Sequence, residues 1–163
     1  MTKASLRHSV RGVILNDKRQ ILMLRHDLPD HVIWATPGGG IEAGESMETA
    51  LRRELREEIG LVLIETPVPV WHQLLRGPGF LEGYEKIVQD YFLVHTSTFS
   101  PCGTLSRDEL AVEWIVGFRW WSVSEIADYR GPDLIRPTGL AGPLSALING
   151  DIPTRPLILE GNV

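Results

Sequence analysis

Residues 38–61 read GGGIEAGESMETALRRELREEIGL, a glycine-rich segment followed by a helical pattern. Glycines let a backbone approach a ligand closely, although a glycine-rich connection between a strand and a helix is also a common structural feature. A helix is predicted over Ser46–Ile59, because Ser46 is a suitable N-cap and Gly60 a suitable C-terminal stop. The segment therefore predicts a glycine loop leading into a helix of about four turns.

The acidic side chains of this helix do not all follow its polar face. At about 100° per residue the helix has an apolar arc, which consists of Met47, Ala50, Leu51, Leu55 and Ile59. Glu54 and Glu58 fall inside that arc, one turn apart, and Glu57 lies just off its edge. Buried carboxylates are costly unless they are compensated, and a hard divalent cation such as Mg²⁺, Mn²⁺ or Ca²⁺ would compensate them. Salt bridges, such as one between Arg53 and Glu57, are the alternative.

The segment resembles the Nudix box, whose pattern is G-x5-E-x7-R-E-U-x-E-E-x-G-U, where U is a bulky aliphatic residue. All nine specified positions are filled at the family's spacing, by Gly39, Glu45, Arg53, Glu54, Leu55, Glu57, Glu58, Gly60 and Leu61. Chance agreement at nine positions is on the order of 10⁻⁹ per start site at average residue usage. A weaker likeness runs over most of Arg7 to Asp128, through Arg11–Ile14, Leu24–His26, Trp34–Pro37 and Arg119–Ser122.

The resemblance implies the Nudix fold, an α/β/α sandwich around a mixed β-sheet. It also implies hydrolysis of a diphosphate bond in a nucleoside diphosphate linked to another moiety, with Mg²⁺ or Mn²⁺ as cofactor. Carried over by position, the metal ligands are Glu54, Glu57 and Glu58. Arg53 matches a position that orients a glutamate by ion pairing, and Glu45 matches one that braces the loop.

The general base is not fixed by the resemblance, since some members use a box glutamate and others use a carboxylate on a later loop. The later candidates here are Asp108, Glu109 and Glu113. Glu113 is favoured because it precedes Arg119 by a spacing similar to that in some members, and the alternative is that all three are solvated loop charges. The expected catalytic residues are then Glu54, Glu57, Arg53 and Glu113.

Substrate contacts are expected from Arg25 and from the glycine loop. Arg25 is a candidate phosphate contact, and the alternative is an edge-strand charge. The loop glycines are candidates because their backbone can approach a phosphate. The expected substrate-binding residues are Arg25, Gly38, Gly39 and Gly40.

Composition indicates one globular domain over residues 1–163, with 43% apolar and 23% charged residues. The net charge of −5 gives no general footprint for nucleic acid, so a DNA partner is not expected. The single cysteine, Cys102, excludes an intramolecular disulfide and favours a reducing, cytoplasmic location. Apolar runs such as Gly12–Leu15 and Ile21–Leu24 are too short to span a membrane.

The rest of the chain indicates a mixed sheet with helices packed on it. Ser9–Leu15 and Gln20–Arg25 are expected to form a hairpin. Further strands are expected at Val32–Ala35, Leu61–Ile64, Val68–Leu75, Ile87–His95 and Trp114–Trp121, with a break at Gly77–Gly79. Besides the box helix, we expect a helix over Leu140–Ile148, a helical turn at Ser124–Asp128, and an extended tail from Asp151 that could join a homodimer interface.

The substrate is a small nucleotide, but the sequence leaves its identity open. ADP-ribose hydrolases of the family carry a proline at a fixed distance after the box, and here Gly77 fills that position while Pro78 follows it. A nucleoside triphosphate, ADP-ribose and a nucleotide sugar all remain. The alternatives are a catalytically silent nucleotide-binding module, which the intact box disfavours, and an RNA 5′-end pyrophosphohydrolase, which the acidic balance disfavours.

Overall fold

A computed structural model describes residues 5–81 and 84–161, and for residues 77–81 it describes the backbone only. In this part of the chain nine strands form a single mixed sheet. Their bounds are β1 Leu6–Leu15, β2 Gln20–Asp27, β3 Val32–Ala35, β4 Gly38–Gly40, β5 Val68–Leu81, β6 Tyr84–His95, β7 Ile115–Ser122, β8 Leu134–Ile135 and β9 Leu157–Leu159. The helices are α1 Met47–Ile59, α2 Arg107–Val112, α3 Val123–Asp128 and α4 Ala141–Ile148.

The glycine segment forms part of the sheet and splits the expected hairpin. The sheet order is β8-β3-β2-β1-β6-β5-β9, with β4 paired to β1 and β7 paired to β2. β1 and β2 pair antiparallel near their turn, at Leu15 and Ile21. Further back along β1 the antiparallel partner is β4, where Val10 lies opposite Gly39. The glycines are therefore a short strand rather than a loop, and this strand enters the space between the diverging arms of the hairpin.

Helices cover both faces of the sheet, which confirms the predicted α/β/α sandwich. On one face Leu51, Leu55 and Ile59 of α1 pack against strand residues such as Ile14 and Leu22. The opposite face is covered by α3 and α4, whose core residues are Ile126, Leu144 and Leu147. A fully buried side chain of this size contributes about 1.5–3 kcal/mol, so α1 is held mainly by this packing.

Two local expectations need correction, and two elements add to what was expected. Leu61–Ile64 forms no strand: Ile64 is 97% exposed, and the carbonyl of Leu63 accepts a hydrogen bond from Arg52 instead of a sheet partner. β5 continues through Gly77–Gly79, with an irregular register between Arg76 and Leu81. Helix α2 was not expected. The tail contributes β9, which pairs in parallel with β5 of the same chain.

Candidate active site

Helix α1 begins and ends where the sequence predicts. The side chain of Ser46 accepts a hydrogen bond from the amide of Thr49, and Gly60 adopts a left-handed conformation with φ 73°. The buried side chains are Ala50, Leu51, Glu54, Leu55, Glu58 and Ile59, so the two carboxylates within the apolar arc are confirmed. Met47 was wrongly included in that arc, because it is 40% exposed at the first turn.

Glu58 lies deepest of the acidic side chains of the box. It is 5% exposed, and its Oε1 accepts a hydrogen bond of 2.7 Å from the amide of Gly38. Burial raises the pKa of Glu58 to about 8, with the nearby guanidinium of Arg11 opposing the shift and the charge of Glu54 adding to it. The surroundings of Glu58 therefore compensate the charge of its carboxylate poorly.

Glu54 lies against the glycine strand. Burial raises its pKa, while hydrogen bonding and charge from Arg53 oppose the shift. The approach between Glu54 and β4 is close, since a Cβ atom on Gly39 would lie 2.6 Å from the Oε1 atom of Glu54. Any larger residue at position 39 would therefore displace the carboxylate of Glu54.

Arg53 connects the loop to the carboxylates. Its Nε and Nη2 atoms donate to the two oxygens of Glu45 at 2.9 Å, and Nη2 also donates to the carbonyl of Gly40. Its Nη1 donates to Glu54 at 3.0 Å and to Glu57 at 3.4 Å. These bonds lower the pKa of Glu45 to about 2, chiefly through the hydrogen bonds from Arg53. The salt-bridge alternative therefore describes part of the site, but Glu58 stands outside this network.

Glu113 is the later carboxylate that comes near the box. It is the C-terminal cap of α2, and its charge raises the pKa of both Glu54 and Glu58. Asp108 and Glu109 are exposed on α2, where Glu109 forms a capping box with Ser106.

His26 belongs to the same region, because its Nδ1 lies 3.1 Å from the carbonyl oxygen of Glu113. No local pattern marks His26 in the sequence, since its partner is 87 residues further along the chain.

Arg25 is not brought together with the carboxylates. Its guanidinium lies 6.0 Å from the centre of the Trp34 ring, which belongs to the core on the face opposite α1. The Nε atom of Arg25 is buried without a hydrogen-bond partner among the described residues.

Of the glycines, Gly38 and Gly39 border Glu58 and Glu54, while Gly40 faces the guanidinium of Arg7. The substrate contacts assigned to Arg25, Gly38, Gly39 and Gly40 remain predictions.

The donor set suits a hard divalent cation. Glu54 and Glu58 present buried oxygen ligands whose raised pKa values reflect uncompensated charge, and Glu57 stands beside them on the same helix. Within residues 5–81 and 84–161, however, no group of three or more His, Cys, Asp or Glu side chains is already arranged around a common ion position. Glu54 and Glu57 are instead both bonded to Arg53.

A cavity of about 730 Å³ adjoins Glu58. Its apolar wall includes Leu24, Leu110, Ile115 and Phe118, and its other side is formed by the segment from Pro101 to Arg107. This volume lies within the range of about 300–1,000 Å³ that small-molecule sites occupy. The buried carboxylate therefore borders a space that can hold a substrate group.

Comparisons with known proteins show the family of this chain. A model of the NUDIX domain matches residues 5–138. The nucleoside triphosphatase NudI of Salmonella newport is 32% identical over 98 residues, which are 59% of this chain and 66% of that protein. The chain thus matches just under two thirds of the length of this relative.

Solved structures share the fold. A MutT protein from Methanosarcina mazei Go1 aligns with a TM-score of 0.66 and 19% identity, covering 93% of this chain and 99% of that one. A MutT NUDIX hydrolase from Burkholderia pseudomallei aligns with a TM-score of 0.62 and 25% identity, covering 86% and 97%. With the domain match over residues 5–138 and every position of the box filled, this chain belongs to the Nudix family.

Proposed function

We propose that this protein is a metal-dependent pyrophosphohydrolase that cleaves a diphosphate bond in a nucleoside diphosphate linked to another moiety. The observation that carries the proposal is the pair of buried carboxylates, Glu54 and Glu58, on the packing face of α1. A structural role alone does not account for them, because burying a carboxylate costs stability unless something compensates its charge. Membership of the Nudix family supports the same reaction class.

Glu54, Glu57 and Glu58 would hold the metal, with Mg²⁺ as the first candidate and Mn²⁺ as the second. When bound, the metal would neutralise phosphate oxygens and stabilise the charge that develops on them. Carboxylate oxygens are the ligands that both ions take in proteins. Arg53 would keep Glu54 and Glu57 oriented, because one guanidinium donates to both and is itself fixed by Glu45.

Glu113 is the proposed general base. A carboxylate that takes a proton from the attacking water must lie near the phosphate site without being tied up in an ion pair. The first condition is supported by the charge of Glu113, which raises the pKa of both Glu54 and Glu58, and no ion pair to Glu113 is found among the described residues. In this reaction the water oxygen bonds to phosphorus, the bridging oxygen leaves with the other phosphate group, and the carboxylate accepts the released proton.

The proposed substrate is a nucleoside triphosphate, with ADP-ribose and nucleotide sugars as further members of the class. The name of the relatives, nucleoside triphosphatase, supports the first of these. The cavity beside Glu58 has room for a nucleoside, and its exposed Phe118 offers an aromatic face for a base. The near match to the ADP-ribose proline, at Gly77 and Pro78, falls where the structure describes no side chains.

A cytoplasmic location and a homodimer are further parts of this proposal. The location is supported by the single cysteine, Cys102, which is free and exposed. Across the described residues, no helix combines the length and the apolar character that crossing a bilayer requires. The homodimer rests on the sequence alone, because β9 of the tail pairs with β5 of the same chain.

The experiment is a product analysis with Mg²⁺ and a substrate panel of nucleoside triphosphates, ADP-ribose, nucleotide sugars and triphosphorylated RNA. Glu58→Gln removes the buried charge, and Glu48→Gln is the matched control, because Glu48 lies on the same helix but pairs with Arg52 at the surface. We expect cleavage of one class, its loss in EDTA, and a loss of at least about 100-fold in Glu58→Gln, with Glu48→Gln close to wild type. If the folded protein binds metal and nucleotide but cleaves nothing, the binding-module alternative replaces the proposal.

A further inference from the structure

The C-terminal end of β2 holds the segment that carries Glu113. His26 Nδ1 lies 3.1 Å from the carbonyl oxygen of Glu113, and the amide of the next residue, Asp27, donates to the carbonyl of Trp114 at 2.8 Å. Consecutive residues of β2 therefore bind consecutive carbonyls at the junction of α2 and β7. The junction is a sharp turn, because Trp114 has a φ of 65°, which is uncommon for a residue with a bulky side chain.

The contact defines which nitrogen of His26 carries the proton. A carbonyl oxygen only accepts hydrogen bonds, so Nδ1 must be the donor. Burial and the neighbouring positive charge of Arg11 lower the pKa of His26, which keeps the ring neutral and leaves Nε2 without a proton. Nε2 is buried and has no hydrogen-bond partner among the described residues. The neutral ring thus has a single N–H group, which donates a hydrogen bond to the carbonyl of Glu113.

We propose that His26 is a positioning residue: its Nδ1–H group holds the backbone of Glu113 and so fixes the point from which the carboxylate of Glu113 acts on the box. The inference rests on the proposed function, in which Glu113 takes a proton from water. Besides His26, the amide of Asp27 also joins this turn to β2, through the carbonyl of Trp114. The carbonyl of Glu113 itself is held by His26, and α2 buries none of its six residues fully. Without the imidazole, the carbonyl of Glu113 would lose its contact with β2, and the carboxylate would sample positions away from the box.

Two substitutions separate positioning from packing. His26→Phe keeps a planar ring of similar shape but has no donor, whereas His26→Asn loses the ring and places an amide N–H near the position of Nδ1. If His26 only fills space, phenylalanine is the milder change. If it positions Glu113, asparagine is the milder change. His31→Phe is the matched control, because His31 lies in the adjacent turn and its side chain bonds only to the exposed Asp30 among the described residues.

We expect His26→Phe to lower kcat by about 10- to 100-fold, the range seen when an outer partner of a catalytic group is removed, with KM within about twofold. His26→Asn is expected to recover most of this loss, and His31→Phe to match wild type. In a Glu113→Gln background, His26→Phe should cause no further loss, because both changes disable the same group. Equal losses in His26→Phe and His26→Asn, wild-type kcat in His26→Phe, or multiplicative losses with Glu113→Gln would each overturn the proposal.

Amide hydrogen exchange separates this inference from the proposed function. The amides of Glu113 and Trp114 donate to the carbonyls of Leu110 and Ala111, so their exchange reports how well the turn is held. His26→Phe should speed exchange at both by about three- to tenfold, the effect of one lost hydrogen bond. If wild type cleaves no nucleotide, the proposed function fails, and the exchange alone decides whether His26 anchors the turn. Unchanged exchange in His26→Phe would refute the anchoring.

Discussion

Gly39→Ala tests whether the position of the Glu54 carboxylate controls activity. A Cβ at position 39 would lie 2.6 Å from Oε1 of Glu54, 2.7 Å from Cδ and 2.9 Å from Oε2. Ordinary Cβ contacts begin at 3.4 Å, so the carboxylate must retreat by 3.4 − 2.6 = 0.8 Å. Metal–ligand distances vary by only about 0.2 Å in well-formed sites. The methyl group therefore displaces this proposed ligand by several times the tolerated amount.

We expect Gly39→Ala to lower kcat/KM by about 100-fold, the cost typical of a misplacement of roughly 1 Å at a reacting centre. That factor corresponds to about 2.7 kcal/mol of lost transition-state stabilisation. The free energy of unfolding should fall by only about 1 kcal/mol, because the obstacle is the end of a flexible side chain. Steady-state kinetics over a Mg²⁺ titration, with thermal unfolding of the same samples, would measure both.

Gly40→Ala is the matched control. It adds the same methyl group to the next residue of β4, where the nearest atoms are Nε and Nη2 of Arg7, both at 3.4 Å. Neither glycine has the left-handed backbone that excludes alanine. Because the methyl group leaves Glu54 in place, kcat within about threefold of wild type is expected for Gly40→Ala. A rise confined to KM would instead report the substrate contact predicted for Gly40. If Gly39→Ala and Gly40→Ala lose activity equally, or if Gly39→Ala remains fully active at the same Mg²⁺ concentration, the role assigned to Glu54 is wrong.

Three further predictions follow from the same geometry. Arg53→Lys keeps the charge but cannot reproduce a planar fork that donates to five acceptor atoms, so we expect about a tenfold loss of kcat with little change in KM; equal kinetics would contradict this. Because the pKa of Glu45 is lowered to about 2, its contribution to stability is present above pH 4.5 and is lost as the pH falls towards 2. Glu45→Gln lacks this contribution at every pH, so its stability should fall less steeply than that of wild type between pH 4.5 and 2 in acid-unfolding titrations. Gly60→Ala should cost about 2–4 kcal/mol, since a Cβ there meets the carbonyl oxygen of Cys102 at 2.2 Å in addition to left-handed strain. Gly44→Ala, which is equally left-handed but has no atom within 4 Å, should cost about 1–2 kcal/mol, and denaturant melts that show equal costs would refute the clash.

The box helix could be predicted because its signals are local. Ser46, Gly60 and the apolar periodicity between them lie within one short segment, and each acts through neighbours three or four residues away. The burial of Glu54 and Glu58 followed from the same periodicity, since the packing face of a helix is set by its apolar majority. Part of the hydrogen-bond network of Arg53 could also be predicted from the sequence, because Glu54 and Glu57 are its neighbours on one helix.

The rest of the site depends on contacts between distant segments. β4 was read as a loop because glycines favour turns, and only its pairing with β1 makes it a strand. Leu61–Ile64 has strand-forming residues but pairs with no strand of the described sheet. The face on which Arg25 lies is set by the alternation of β2, and the contact of His26 with Glu113 spans 87 residues. Helix α2 is too short for periodicity, although its capping box, Ser106 to Glu109, was a readable signal.

Burial of Glu58 lowers the stability of the metal-free protein, because no bound cation compensates the carboxylate. Glu58 accepts a hydrogen bond from the amide of Gly38, whereas Glu54 accepts one from the guanidinium of Arg53. A glutamine at position 58 has the same shape, can accept the same hydrogen bond and carries no charge to desolvate. Glu58→Gln should therefore melt above wild type in EDTA at pH 7, by a few degrees, while cleaving no substrate. With Mg²⁺ the gap should narrow, because only wild type binds the ion tightly and gains stability from it. A variant that melts below wild type in EDTA would show that Glu58 stabilises the fold itself, and the functional explanation of its burial would no longer be needed.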